Sequence, residues 1–121
     1  MFEDLYKTMF YYRDGSPITQ GASDEENMYI WGYLHNYPRY KRVAETTLPD
    51  GTWISTVWLG LDHGFNFSGS KDYKPLIFET MAFASEGSLD DLEQERYSTV
   101  AEALAGHEAV VKRCQTTRGY L

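Results

Sequence analysis

Residues 41–62, KRVAETTLPDGTWISTVWLGLD, constrain the fold more than any other part of this chain. Pro49 is typical of the first central position of a type I turn, and Gly51 can supply the positive φ of a hairpin loop closed by a glycine bulge. Polarity alternates along the chain on both sides of this turn. The segment therefore predicts two long antiparallel strands joined by a tight loop.

The second of these strands, residues 53–61, is apolar on one face and half apolar on the other. Such a pattern is typical of a strand that lies inside a sheet and is covered on both sides. Three further strands are predicted from aromatic and β-branched runs bounded by turn residues: residues 5–13, residues 75–83 and a short edge strand over residues 92–97.

Two helices are predicted from their N-terminal signals. Ser23 and the acids after it form a capping-box pattern that begins a helix over residues 24–36, and Pro38 ends it. Thr99 with Glu102 begins a longer C-terminal helix. In its middle, Gly106 is unfavourable for a helix, which predicts close packing at that point.

These elements predict an α+β fold with an antiparallel sheet of about four strands and two helices, the longer one C-terminal. At 121 residues the chain is expected to form a single domain, residues 1–121. If both helices lie on one face of the sheet, apolar groups on the other face need cover. A curled sheet or a second copy of the chain, forming a homodimer, would each supply it.

Composition excludes several classes of protein. The one cysteine, Cys114, cannot form a disulfide within the chain or a cysteine-based zinc site, and no cofactor or metal is expected. The net charge of −7, with one dense basic cluster at residues 39–42, argues against direct nucleic-acid binding. No apolar stretch is long enough for a membrane helix and no secretory signal is recognised, so we expect a cytoplasmic protein.

The candidate catalytic groups are Asp62 and His63 at the exit of the central strand, with Glu79 on the neighbouring strand. A carboxylate and an imidazole beside a glycine-containing loop, with Glu45 on the other side, could form a general base or a metal site. The spacing matches no diagnostic motif, however, and a strand end followed by a turn uses the same residue types. We therefore assign no catalytic residue, and favour a structural interpretation of all three.

His107 and Cys114 lie seven residues apart on the apolar side of the last helix. A catalytic cysteine needs a neighbouring base and a lowered pKa, for which the sequence gives no evidence. A hydrogen-bonded histidine and a packed core cysteine are the favoured interpretation.

The binding candidates are tyrosines and acids. Tyrosine gives a large contact area at low entropy cost, and clustered acids can dock on a basic protein surface, although a solvated acidic surface is the simpler interpretation. The candidates are Tyr11, Tyr12, Tyr29, Tyr33, Asp90, Asp91 and Glu93. The first predicted helix places Met28, Trp31, Leu34 and His35 on one stripe, with Tyr29 and Tyr33 on the adjoining stripe.

Three segments together resemble a family of small uncharacterised proteins encoded by bacteriophages and prophages: TLPDGTWISTVWLGLDH, PLIFETM and ERYST followed by EALAGHE. The similarity extends over residues 11–111, with differences at residues 20–27 and 66–73. It implies a viral origin and the cytoplasm of a bacterial host, and it transfers no catalytic residue.

Two functional hypotheses follow, with a third behind them. The first is a non-catalytic binding protein that acts on a host or phage protein, such as an inhibitor of a bacterial defence system of the CRISPR type. The second is a small enzyme or ligand-binding domain that uses Asp62, His63 and Glu79. The third is a minor structural component of the virion.

Overall fold

The computed structural model describes residues 9–62, 73–88 and 91–117. Four strands form one antiparallel sheet in the order β1-β2-β3-β4. In chain order the elements are α1 (Asp24–His35), α2 (Pro38–Lys41), β1 (Arg42–Thr47), β2 (Trp53–Trp58), β3 (Phe78–Phe83), β4 (Asp91–Tyr97) and α3 (Val100–Thr117). The predicted α+β class is confirmed, as are the number of strands and the longer C-terminal helix. The single-turn helix α2 was not predicted.

The β1–β2 hairpin closes as its sequence indicates. The amide of Leu48 donates to the carbonyl of Thr52 at 2.8 Å, and Gly51 has a φ of +95°. The Asp50 carboxylate accepts a hydrogen bond from the Thr52 amide at 2.9 Å, which fixes the loop from inside. Each residue type in this turn therefore has an identifiable physical role.

Both predicted helix starts are confirmed by their caps. The Ser23 hydroxyl accepts a hydrogen bond from the Glu26 amide at 3.2 Å at the start of α1. The Thr99 hydroxyl accepts one from the Glu102 amide at 3.1 Å at the start of α3. These side chains satisfy amides that have no partner within the helix.

One side of the sheet, which we call the helix face, is covered by α3, which packs across all four strands. Pairs of side chains from β2 and β3 lie opposite one another there, with Ile54 beside Ala82 and Trp58 beside Phe78. All four are fully buried. Val110 of α3 packs with the first pair and Ala103 of α3 with the second. The helix face holds the main apolar core.

The other side of the sheet, which we call the open face, is only half-buried among the described residues. Trp53 stacks on Phe83 with ring centroids 5.5 Å apart, and Val57 and Met81 extend the apolar surface. The prediction that β2 lies inside the sheet is confirmed, whereas the predicted cover on both sides is found, in the described part of the chain, as full burial on the helix face and half-burial on the open face. A homodimer formed through this face stays a prediction.

The predicted first strand is also wrong over residues 9–13. Phe10 forms an isolated bridge with Leu61, and Tyr11 forms one with Pro17. The aromatic side chains that suggested a strand pack instead against the end of β2 and against α1. Residues 5–8 of that prediction lie outside the described residues.

Candidate functional site

Helix α1 is attached to the sheet through Trp31. Its indole Nε1 donates to the carbonyl oxygen of Leu59 at 2.8 Å, and its ring stacks on Phe10 at 5.0 Å. Gly60, with a φ of +74°, makes this approach possible, because a Cβ there would lie 2.5 Å from atoms of Trp31 and of Trp58. The inner side of α1 is thus held by aromatic packing at the end of the central strand.

The outer side of α1 is strongly exposed, and no residue of the helix is fully buried. Tyr33 is 75% exposed, Tyr29 62%, Tyr37 48% and Met28 43%. We call these four residues the tyrosine face. The sequence placed Met28 on the same stripe as Trp31, and in the structure Met28 is exposed beside the tyrosines.

A groove of about 590 Å³ runs along this helix, and Gly32 lies in its middle. Apart from the adjacent residues Trp31 and Tyr33 and the backbone of the helix itself, no described atom lies within 4 Å of the position that a Cβ of Gly32 would occupy. We call it the tyrosine groove. It is lined by Met28, Tyr29, Trp31, Gly32, Tyr33, Asn36 and Tyr37.

The chain around the tyrosine groove is acidic. Residues 14–38 contain four carboxylates and no lysine or arginine. Three of these acids, residues 24–26, occupy the first turn of α1, where they also complement the helix dipole. The Glu25 carboxylate accepts a hydrogen bond from the Tyr29 hydroxyl at 3.0 Å, which places negative charge at one end of the tyrosine face.

The two other candidate tyrosines are half-buried and lie elsewhere. Tyr11 packs against the core beside Trp58, and its backbone carbonyl accepts a hydrogen bond from the Trp58 indole Nε1 at 3.0 Å. Burial, together with the charge of Asp62, raises the pKa of Tyr11. The Tyr12 hydroxyl donates to Gln20 at 2.8 Å. Neither residue lines the tyrosine groove.

The candidate acids of β4 do not form one free acidic surface. Asp91 is exposed, whereas Glu93 accepts a hydrogen bond from Arg113 at 2.8 Å. The Arg113 guanidinium also binds Glu95 at 2.7 Å. The hydrogen bond with Glu93 is the largest cause of the raised pKa of this guanidinium. Asp90 lies outside the described residues.

Asp62 closes the return from β2 towards β3. Its two oxygens accept from the Tyr73 hydroxyl at 2.7 and 2.8 Å, and one also accepts from the Leu76 amide at 2.8 Å. Burial and the hydrogen bond to this carboxylate raise the pKa of Tyr73 to about 12. The contacts give Asp62 a structural role, and His63 lies outside the described residues.

Glu79 belongs to a different group of contacts. On the open face it accepts from Gln94 at 2.8 Å and from the Arg96 guanidinium at 3.0 Å. The hydrogen bonds of Glu79 and those of Asp62 share no residue. Within residues 9–62, 73–88 and 91–117, no group of three or more His, Cys, Asp or Glu side chains is arranged to hold a metal ion.

His107 is buried between α3 and the sheet in a chain of hydroxyl groups. Its Nδ1 lies 2.7 Å from the Thr56 hydroxyl and its Nε2 lies 2.8 Å from the Thr46 hydroxyl, while Thr56 also bonds Thr80. Burial lowers the pKa of His107. The interpretation of His107 as a hydrogen-bonded core histidine is confirmed, and Cys114 is buried as predicted.

A second groove, of about 350 Å³, lies where α1 and α2 meet the open face. Lys41 and Arg42 line it together with Trp53 and Val57. The Arg42 guanidinium binds Glu45 at 3.2 Å, and the Trp53 indole donates to the same carboxylate at 2.8 Å. This groove is therefore basic, in contrast to the tyrosine groove.

Sequence reasoning identified Tyr29 and Tyr33 as binding candidates and did not assign the other five residues of the lining to a site. The signal was present in the spacing. Tyr29, Tyr33 and Tyr37 recur every four residues, which is the spacing of one side of a helix, although α1 ends at His35 and Tyr37 lies just beyond it. Gly32 is a helix-disfavouring residue in the middle of the predicted helix.

In the part of the chain that the structure describes, no helix has the length and apolarity needed to cross a membrane. Comparison of the chain with protein-family models, with curated proteins and with solved structures found no match.

Proposed function

We propose that this chain is a non-catalytic binding protein of phage origin that acts on a bacterial host protein. The observation that carries the proposal is the tyrosine face, where three large side chains of α1 and that of Tyr37 just beyond it are exposed around a groove, on a helix that is anchored by Trp31. Exposed aromatic clusters on a rigid element are typical of interaction sites. The viral origin is proposed from the resemblance of three segments to phage-encoded proteins alone.

The contacts of the candidate catalytic groups favour binding over catalysis. Asp62 is engaged by Tyr73 and by the Leu76 amide, and Glu79 is engaged by Gln94 and Arg96. A general base needs access to a substrate proton. Neither carboxylate combines such access with a second catalytic group among the described residues.

The charge of the chain supports a basic partner. With a net charge of −7 and a run of 25 residues, 14–38, without a single lysine or arginine, the chain is suited to a protein surface that normally holds nucleic acid. Effectors of bacterial defence systems, including CRISPR effectors, present such surfaces. We therefore propose inhibition of a defence effector as the biological role.

Two measurements test this function. The tagged protein, incubated with lysate of a phage-infected host, is expected to retain one host protein in stoichiometric amount. Expressed in cells with an active CRISPR system, it is expected to restore plaque formation by a targeted phage. A lysate experiment without a stoichiometric partner, together with unchanged plaque numbers, would contradict the proposal.

An unrelated acidic protein of similar size and charge serves as the control in both experiments. If it retains the same host protein, charge alone explains the binding. Mass spectrometry of purified virions distinguishes the remaining alternative, because a structural component would be found in the particle.

A further inference from the structure

Gly32 occupies a position where helix stability disfavours glycine and where packing does not require it. Glycine is less favourable than alanine inside a helix because it loses more backbone freedom on folding. The other helical glycine, Gly106, has a packing reason, since a Cβ there would collide with the ring of Tyr97. Around Gly32, leaving aside its two chain neighbours and the backbone of its own helix, no described atom would contact an added Cβ.

The absence of a side chain at Gly32 creates the tyrosine groove. Met28 and Asn36 lie one turn before and one turn after it, and Tyr29 and Tyr33 lie along its side. The side-chain amide of Asn36 donates to the Gly32 carbonyl at 2.9 Å. This hydrogen bond holds the Asn36 side chain against the last turn of the helix. Any larger residue at position 32 would project into this space.

The chemistry of the lining selects a planar cation. Tyrosine rings attract cations over their faces, and a guanidinium stacks on them more readily than an ammonium because it is flat and weakly hydrated. Glu25 is not part of the lining, but its carboxylate is bonded to the hydroxyl of Tyr29, which is, and a carboxylate can accept a guanidinium hydrogen bond. Residues 14–38, which include every residue of the lining, contain no lysine or arginine, and the basic cluster at residues 39–42 follows them directly.

We propose that the tyrosine groove binds an arginine side chain on the basic surface of a protein partner, and that Gly32 keeps the groove open for it. This inference rests on the proposed function in that the arginine belongs to the host protein. It adds the chemical group that is recognised and the residue that makes room for it.

The test is a nuclear magnetic resonance titration of the full chain with the peptide acetyl-Gly-Arg-Gly-amide. We expect the amide resonances of α1 around Gly32 to move with a dissociation constant in the millimolar range, on the order of that for one side chain. The same peptide with citrulline, which keeps the shape and loses the charge, is expected to bind at least about fivefold more weakly. Equal shifts with citrulline would overturn the proposal.

Variants at position 32 separate binding from stability. Gly32→Ala and Gly32→Leu are expected to raise the melting temperature, because both residues favour helices, and to weaken arginine binding in that order. Tyr33→Ser is expected to weaken it about two- to fivefold, the equivalent of 0.5–1 kcal/mol for one ring. Ala105→Leu, on the exposed side of α3, is the matched control and should leave binding unchanged.

Unchanged arginine binding in Gly32→Leu would overturn the inference, as would shifts spread over the acidic residues of the whole chain. Neither result touches the proposed function, which the lysate and plaque experiments test without any peptide. Conversely, a wild-type chain that retains no host protein contradicts the proposed function even if the arginine peptide binds to α1.

Discussion

Acidification is expected to destabilise the protein through His107. The imidazole is 2% exposed and both ring nitrogens are bonded to threonine hydroxyls, an arrangement that the neutral ring satisfies with one nitrogen as donor and the other as acceptor. Burial lowers the pKa of the folded histidine, and the Glu108 carboxylate offsets only part of that effect. In the unfolded chain the same group keeps its ordinary pKa of 6.5.

The sign follows from proton binding. Below pH 6.5 the unfolded chain takes up a proton at His107 that the folded chain does not, so the free energy of unfolding decreases as the pH falls. The contribution is complete above pH 6.5 and is lost towards the lowered pKa of the folded state. For a site that stays neutral when folded, the loss at pH 5.5 reaches at most about 1.4 kcal/mol.

The substitution His107→Gln isolates the pH-dependent contribution of His107 to the free energy of unfolding. Glutamine does not titrate and can keep one of the two threonine contacts, so we expect a cost of about 1 kcal/mol at pH 7.5. Between pH 7.5 and 5.5 the free energy of unfolding of the wild type should fall by up to about 1.4 kcal/mol relative to that of the variant. Urea unfolding followed by tryptophan fluorescence measures this as a relative movement of the midpoints of roughly 1 M.

His35 is the matched control. Its pKa is also lowered, by burial and to a smaller extent by the charge of Lys41, but its side chain is only half-buried. A His35→Gln variant should keep the pH dependence that His107 causes. If the wild type and His107→Gln lose stability in parallel between pH 7.5 and 5.5, the buried neutral histidine is not the origin of the acid sensitivity.

Three further outcomes are expected. Gly106→Ala should destabilise the fold by about 1–3 kcal/mol in thermal unfolding, because the added methyl group collides with Tyr97 and outweighs the gain in helix propensity. Gly60→Ala should cost about 2–4 kcal/mol and weaken the near-ultraviolet circular dichroism, because it combines a positive φ with two crowded indole rings. Because the folded pKa of Tyr73 is raised to about 12, its contribution to stability should be complete below pH 10 and decrease as the pH rises from 10 to 12. Tyr73→Phe should reduce the alkaline loss of stability, to which the raised pKa values of Tyr11 and Tyr97 also contribute, as measured by urea unfolding in that range.

Local signals in the sequence predicted local structure well. The β1–β2 loop was predicted because Pro49, Asp50 and Gly51 each act on their own backbone or on a neighbouring amide. The caps Ser23 and Thr99 were predicted for the same reason. These contacts span only a few residues, so a pattern of a few residues determines them.

Signals that depended on distant packing were less informative. The aromatic run at residues 9–13 has the composition of a strand, but Phe10 finds its partner in the ring of Trp31, and no local rule contains that contact. Similarly, alternation in β2 indicates two apolar faces without telling which one α3 covers. His107 could be expected to have hydrogen bonds, whereas its partners Thr46 and Thr56 depend on the register of three elements.

The glycines of α1 and α3, Gly32 and Gly106, can be assigned different roles only when the sequence and the structure are considered together. Both weaken their helices, and the sequence treats them alike. The structure gives Gly106 a packing partner, and the close packing predicted there is confirmed by the ring of Tyr97. It gives Gly32 an open groove on the most exposed aromatic surface of the described chain. Where a residue lowers stability and no contact explains it, selection for binding becomes the physical argument, and the substitutions at Gly32 test that argument directly.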